Sequence, residues 1–503
     1  MLSKPASYCA ATLFWALPAG AGDKPLSAID WIDRQPEVQS PVVATPLPGT
    51  GTERLPPDVA VSPLTEQTQR RIGLVPPAVS GLPPDLWSDS DPKRLGALMA
   101  DLPDLRLPAA QSLLYRLLLS EAAGPGDDAE NADGFTLDRA RLLRDYGALE
   151  PALALIEQAG PKRDRNHFAA YMDLALLTGN EDPACDLQNA RPELAPTAGH
   201  SVFCRMRSGD WATAAVLYDA GRVLGTIPTP QLNLLERFLD PELFEGDPAL
   251  APPASITPLL FRLHEAIGEP LPTRFLPRAY AVADLRDVTG WKAQLEAAER
   301  LARAGSLPDN QLLGLYTARK PAASGGVWDR AAGVRKLDQA LSRRSASDVA
   351  EVLPSAWKTM KAARLEVAFA GIFAEQLTAL GLDGEAGRIA REMILLSPAF
   401  GDVPADPQDL ATAIATGVPL PLVAGTARNA EIAGAFSGMP QVTGIPATQM
   451  GERILMALAE LESGASGDPV ALGKALSVLR GLGLEDTARR AALQVLLLER
   501  YNL

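Results

Sequence analysis

The sequence predicts an all-α chain of stacked helical hairpins preceded by a Pro-rich extended arm, and three observations carry that prediction. Apolar residues recur at helical spacing from about residue 93 onward, as in the stripe Leu113, Leu114, Leu117 and Leu118. The helix-sized segments are divided by Gly, Pro and Asp clusters. No alternating period-2 run bounded by hairpin signals occurs, and aromatics make up only 5% of a chain that is 47% hydrophobic. That balance favours close helix-on-helix packing over sheet.

Taken in order, the N-terminus reads as a secretory signal peptide over 1–21. Lys4 is the only charge before Asp23, an apolar and small-residue run extends from Ala6 to Leu17, and Pro18 precedes Ala19-Gly20-Ala21, an Ala-x-Ala processing site. Cleavage is expected after Ala21, which places the mature chain in the periplasm or outside the cell. The run is too short for a permanent anchor, and no later apolar run reaches the ~18 residues of a transmembrane helix, so no integral membrane span is expected. Removing Lys4 with the leader takes the net charge from -14 to -15. Such a chain repels phosphate backbones and anionic headgroups, which argues against nucleic acid as a partner.

Residues 22–92 read as an extended linker. Proline recurs in Pro56-Pro57, Pro76-Pro77 and Pro83-Pro84, which forbids regular helix and favours polyproline II. Short apolar clusters are embedded in it, Ile72-Gly73-Leu74-Val75 and Leu86-Trp87. They suit either a floppy tether or an arm that docks on the helical body or a partner, and the sequence does not choose between these.

An N-terminal helical-repeat block follows over 93–250. Its informative feature is a recurring junction: Gly147 is followed five residues on by Ala152, Gly179 by Ala184, and Gly209 by Ala214. Glycine ends one helix in a left-handed conformation, and the small alanine lets the next approach closely. The glycines lie 32 and 30 residues apart (179 − 147 and 209 − 179), a spacing suited to stacked helical hairpins. A C-terminal helical block spans 251–503, with its clearest helix from Trp291 to Gly305 and an irregular Gly- and Pro-rich segment at 400–447. Two more junctions stand there, Gly381 with Ala386 and Gly483 with Ala488.

Over residues 136–222 this pattern resembles the tetratricopeptide and related α-solenoid families, and the two C-terminal hairpins share it more weakly. The aromatic and proline positions usual in tetratricopeptides are not regularly filled. The resemblance implies a superhelical stack with a binding surface and carries over no binding residues. It also implies a pairing for two of the three cysteines. Cys185 starts one second helix and Cys204 comes late in the next first helix, so antiparallel neighbours would bring them level as a disulfide. In an oxidising compartment such a bridge would contribute ~3 kcal/mol.

Catalytic motifs are weak or incomplete. His167, His200 and His264 do not pair at helical spacing, so no metal site is expected. Ser355-Ala356-Trp357-Lys358 matches the Ser-x-x-Lys of penicillin-binding enzymes but lacks their companion elements. Asp127 to Gly134 has acidic letters of a calcium loop, with alanine at ligand positions one and twelve. Ala322 to Arg330 is a small-residue loop without the Gly-Lys-Ser/Thr of a phosphate loop, with Asp329 as a helix cap at best. The expectation is a non-catalytic scaffold or adaptor that binds protein partners in a bacterial envelope assembly and needs no cofactor. An enzyme or regulator acting on peptidoglycan is the alternative.

Overall fold

The structure is a computed structural model that describes residues 71–126, 129–418, 425–437 and 446–498. The expected signal peptide, the arm up to residue 70, and Asp127 and Asp128 lie outside the described residues, as do 419–424 and 438–445. The described residues are all-α apart from one small ribbon. Helices α1 (Pro77–Ser80), α2 (Pro92–Ala100) and α3 (Pro108–Leu119) lead into α4 (Ala129–Asp145), α5 (Leu149–Ala159), α6 (Arg165–Thr178) and α7 (Asp182–Ala190). Next come α8 (Ala198–Arg207), α9 (Trp211–Val223), α10 (Thr229–Leu239), α11 (Pro258–Ala266), α12 (Trp291–Ala302), α13 (Asp309–Thr317) and α14 (Val327–Ser342). The chain continues through α15 (Ala346–Ala362), α16 (Glu366–Thr378), α17 (Gly384–Leu396), α18 (Leu410–Thr416), α19 (Ala427–Phe436), α20 (Met450–Ala465), α21 (Pro469–Gly481) and α22 (Glu485–Leu497). The segment 400–447, read as irregular, thus contains α18 and α19. No helix among the described residues is long and apolar enough to cross a membrane.

Helices adjacent in sequence are mostly adjacent in space, as in α4 with α5, α8 with α9, α14 with α15, and α20 with α21. The junctions show why. Gly147, Gly179, Gly209, Gly381 and Gly483 have φ of 86°, 78°, 78°, 57° and 78°, and Ala152, Ala184, Ala214, Ala386 and Ala488 behind them are buried. At the first, the Ala148 amide donates to the Leu143 carbonyl at 2.9 Å and the Gly147 amide to that of Arg144 at 2.8 Å. This double bond pattern satisfies carbonyls that a helix end otherwise leaves bare. The same turn occurs without glycine at Arg344 (φ 51°) and Arg364 (φ 57°), each followed five residues on by a buried residue, Val349 or Phe369. The geometry belongs to helix junctions in general and assigns no family.

The stretch 71–92, read from sequence as the end of an arm, lies against the helical body. Leu82, Leu86 and Trp87 are buried, and the Trp87 ring meets Phe135 edge-on at 4.9 Å. Strand β1 (Arg71–Ile72) pairs antiparallel with β2 (Ala122–Ala123), Ile72 opposite Ala122. Buried Arg139 ties this ribbon to the end of α3 by donating to the carbonyls of Ile72, Leu118 and Ser120. Burial lowers its pKa to about 10.

The helices that open the described residues also pack on those that close them: α2 on α20, and α3 on both α20 and α22. Polar bonds line that seam. Gln494 accepts from the Ala109 amide at 2.8 Å, Glu462 from Arg106 Nε at 2.9 Å, and the Leu86 carbonyl from the Gly451 amide at 3.0 Å. Across residue 250, α6 packs on α11, and one hydrophobic core runs through both sequence blocks.

Candidate functional site

Helix α3, packed on α20 and α22, borders a cleft of 1010 Å³ that residues of α12 and α16 also line. Helix α3 is amphipathic: Leu113, Leu114, Leu117 and Leu118 enter the core, while Pro108, Gln111, Ser112 and Tyr115 face the cleft. Tyr115 donates its hydroxyl to the Ala304 carbonyl at 2.7 Å, and Gln111 donates to those of Leu105 and Arg303 at 2.8 and 3.0 Å. These bonds hold α3 to the turn after α12. Glycine suits the turn at Gly305 (φ 68°), since another side chain would be strained there and would press on Gln111 and Tyr115 at 3.3 Å.

Among the described residues, seven arginines and three aspartates line this cleft, with no Lys, Glu, His or Cys. Arg300 donates to the carbonyls of Thr273 and Leu276 at 2.9 and 2.6 Å. Those carbonyls orient the guanidinium without neutralising it. Arg303 donates to Ala363 at 3.1 Å and lies 3.8 Å from Glu299. Arg278 pairs with Asp104 at 2.9 Å and covers the Tyr146 ring. Arg106 is held by Glu462, and Arg490 lies 2.9 Å from Asp486. Arg428 completes the set. At Arg364 the backbone amide of the left-handed turn donates to the Lys361 carbonyl at 3.0 Å, while the exposed side chain makes no hydrogen bond or ion pair among the described residues.

The crowding of like charges is felt. Burial first, then the charges of Arg278 and Arg303, lower the pKa of Arg300. Burial also lowers that of Arg303, with Arg330 and Arg364 adding to it and Glu299 opposing it. Opposite them, Asp309 at the start of α13 is open to water but walled by protein, and desolvation raises it to about 6. Its carboxylate rests against α16 where Gly371 has no side chain; a Cβ there would come within 2.2 Å of Oδ2. Ser112, Ser466 and Tyr115 supply the hydroxyls of the lining among the described residues.

The residues singled out from sequence lie elsewhere. Cys185 and Cys204 are joined as a disulfide, their Cα atoms 4.8 Å apart between α7 and α8. The histidines are buried and dispersed. His167 Nδ1 is 2.7 Å from Asp164, His200 Nδ1 is 2.8 Å from the Thr197 hydroxyl, and burial lowers His200 to about 4. No metal-binding group of His, Cys, Asp or Glu occurs among the described residues. Ser355 donates to the Val352 carbonyl at 3.0 Å, and Lys358 lies with it in a second recess whose Lys361 and Arg388 are 4.0 Å from Glu392 and Glu385. Asp329 lies inside α14 and accepts from the Gly325 amide at 2.9 Å; the cap position is Gly326.

A second surface stands out on α9. Val216 and Val223 are 69% and 79% exposed, and Ala212, Ala215 and Ala220 are exposed on the same helix, interrupted by the exposed Asp219–Arg222 ion pair. Leu224 and Trp211 extend it at either end.

By fold and site, then, the described residues form an all-α protein with an arginine-lined cleft and an exposed helix face that carries Val216 and Val223. No family model, curated protein or solved structure matches it.

Proposed function

We propose that the protein is a non-catalytic scaffold or adaptor, exported to a bacterial envelope, whose stacked helical hairpins form an α-solenoid that binds protein partners. The observation that carries this reading is the solvent face of α9. A helix of a globular protein ordinarily turns charged and polar residues outward. Here Val216, Val223 and Leu224 lie together in the open, the pattern expected where another protein docks. The disulfide between Cys185 and Cys204 supports the compartment, because such bonds persist in oxidising surroundings.

The test places a photocrosslinking residue at Val216 or Val223 in cells and compares it with one at the exposed position Asp186, on α7. The reading expects one envelope protein captured at near-stoichiometric yield from the α9 positions alone, lost in Val223→Asp, and a mature N-terminus at Gly22. Equal capture from both positions, or a cytoplasmic chain still beginning at Met1, would sink it.

A further inference from the structure

We propose that the cleft between α3, α12 and α16 binds a small organic oxyanion carrying at least two phosphate or carboxylate groups. The protein has a net charge of -14, yet among the described residues the lining of this recess carries seven arginines against three aspartates, with Glu299, Glu462 and Asp486 just behind the wall answering Arg303, Arg106 and Arg490. Concave walls concentrate that field and draw in anions from solution. Guanidinium groups present paired N–H donors in a plane, which match the oxygens of a phosphate or carboxylate two at a time.

Two features set this lining apart from an ordinary solvated face. Neither Arg300 nor Arg364 has a carboxylate within ion-pair distance among the described residues, so the cleft holds positive charge that its own acids do not answer. Arg364 also occupies a left-handed turn (φ 57°) that the other cleft-side junction, at Gly305, gives to glycine. An L-residue is disfavoured there, and the Arg364 side chain makes no hydrogen bond or ion pair among the described residues that would offset the strain, although it also borders the second recess. Its place in the cleft wall supplies a reason for it. The volume, 1010 Å³, accommodates a molecule much larger than one phosphate. The arginines stand on two sides, with Arg278, Arg300, Arg303 and Arg364 together and Arg106 and Arg490 toward the α20–α22 seam. Two separated anionic groups would engage both sides, while Asp309 accepts from a hydroxyl between them.

The experiment uses the full mature chain with inorganic phosphate, pyrophosphate and citrate as probes, read by calorimetry and thermal melting, with anionic phospholipid vesicles as a separate arm. Pyrophosphate or citrate should bind at one per chain, more tightly than phosphate, and weaken as salt rises. Response to pyrophosphate alone would assign phosphate groups, and response to citrate alone carboxylates. Arg364→Gly should weaken binding about tenfold, the loss expected for a charge-assisted hydrogen bond. Its melting temperature should hold or rise, because glycine adopts φ 57° without strain. Arg344→Gly relieves the same turn away from the cleft and should leave binding unchanged. The proposal is overturned if no soluble probe binds tighter than the order of 1 mM. It is equally overturned if the two glycine variants behave alike, or if vesicles bind and the soluble probes do not.

Discussion

Trp87 and Gly451 offer a sharp test of how the stretch 71–92 is held. Trp87 is fully buried against α20, and a Cβ on Gly451 would lie 2.4 Å from two of its ring carbons. Trp87→Ala should cost about 3–5 kcal/mol through lost burial and the cavity left behind. Gly451→Ala has two opposed effects. The new methyl forces the indole to retreat by roughly 1 Å in a packed core, an overpacking cost of about 1–3 kcal/mol. Alanine also favours the helix over glycine by about 1 kcal/mol. With the tryptophan present, the net is a loss of up to about 2 kcal/mol. Once Trp87 is alanine the obstruction is gone, and Gly451→Ala should stabilise by about 0.5–1 kcal/mol. The substitution therefore changes sign with the background, a coupling of about 1–3 kcal/mol. Urea denaturation of the four proteins measures it. Equal stabilisation by Gly451→Ala in both backgrounds would refute the seating of Trp87 on α20, and with it the docking of residues 71–92.

Three further outcomes follow from the same structure. Reducing the Cys185–Cys204 bridge, which spans a sequence separation of 19, should lower stability by about 3 kcal/mol on the loop-closure argument; denaturation with and without reductant would show it, and coincident curves would contradict it. Asp173 is raised by burial from 3.8 to about 6, with Arg144 opposing. The folded chain thus holds that proton more tightly than the unfolded one, and the associated stability is full below pH 3.8 and lost as pH rises through about 6. Asp173→Asn should accordingly melt higher than the parent at pH 7.5 and level with it at pH 4; a gap that widens in acid would reverse the argument. Buried Glu299 accepts from Tyr316 at 2.8 Å and from Arg330 Nε and Nη2 at 2.6 Å each. Glu299→Ala should cost about 3–5 kcal/mol by stranding the guanidinium, and Glu299→Met with Arg330→Met should cost less than that single change; denaturation midpoints of the two variants decide it.

The helices were legible because their causes are local. The stripe from Leu113 to Leu118 and the glycine turns at 147, 179, 209, 381 and 483 each depend on a few consecutive residues. Two turns escaped notice because Arg344 and Arg364 take the left-handed conformation without glycine, and only the buried residue five positions on could have flagged them. Gly371 inside the apolar run of α16 was a further signal, since a glycine in a helix interior often marks a close approach, here by Asp309. Whether Leu86-Trp87 tethered or docked was not legible, because proline spacing restricts the backbone and says nothing about what lies across from it.

Secondary structure, helix ends and the sign of the net charge were thus determined by the sequence alone, since each is a property of neighbours along the chain. The cleft was decided only by tertiary structure. Its arginines run from residue 106 to residue 490, on helices and turns with no shared local pattern. They meet because α3 packs between the turn after α12 and the helices α20 and α22, and burial and charge act through space across distances that sequence separation does not record.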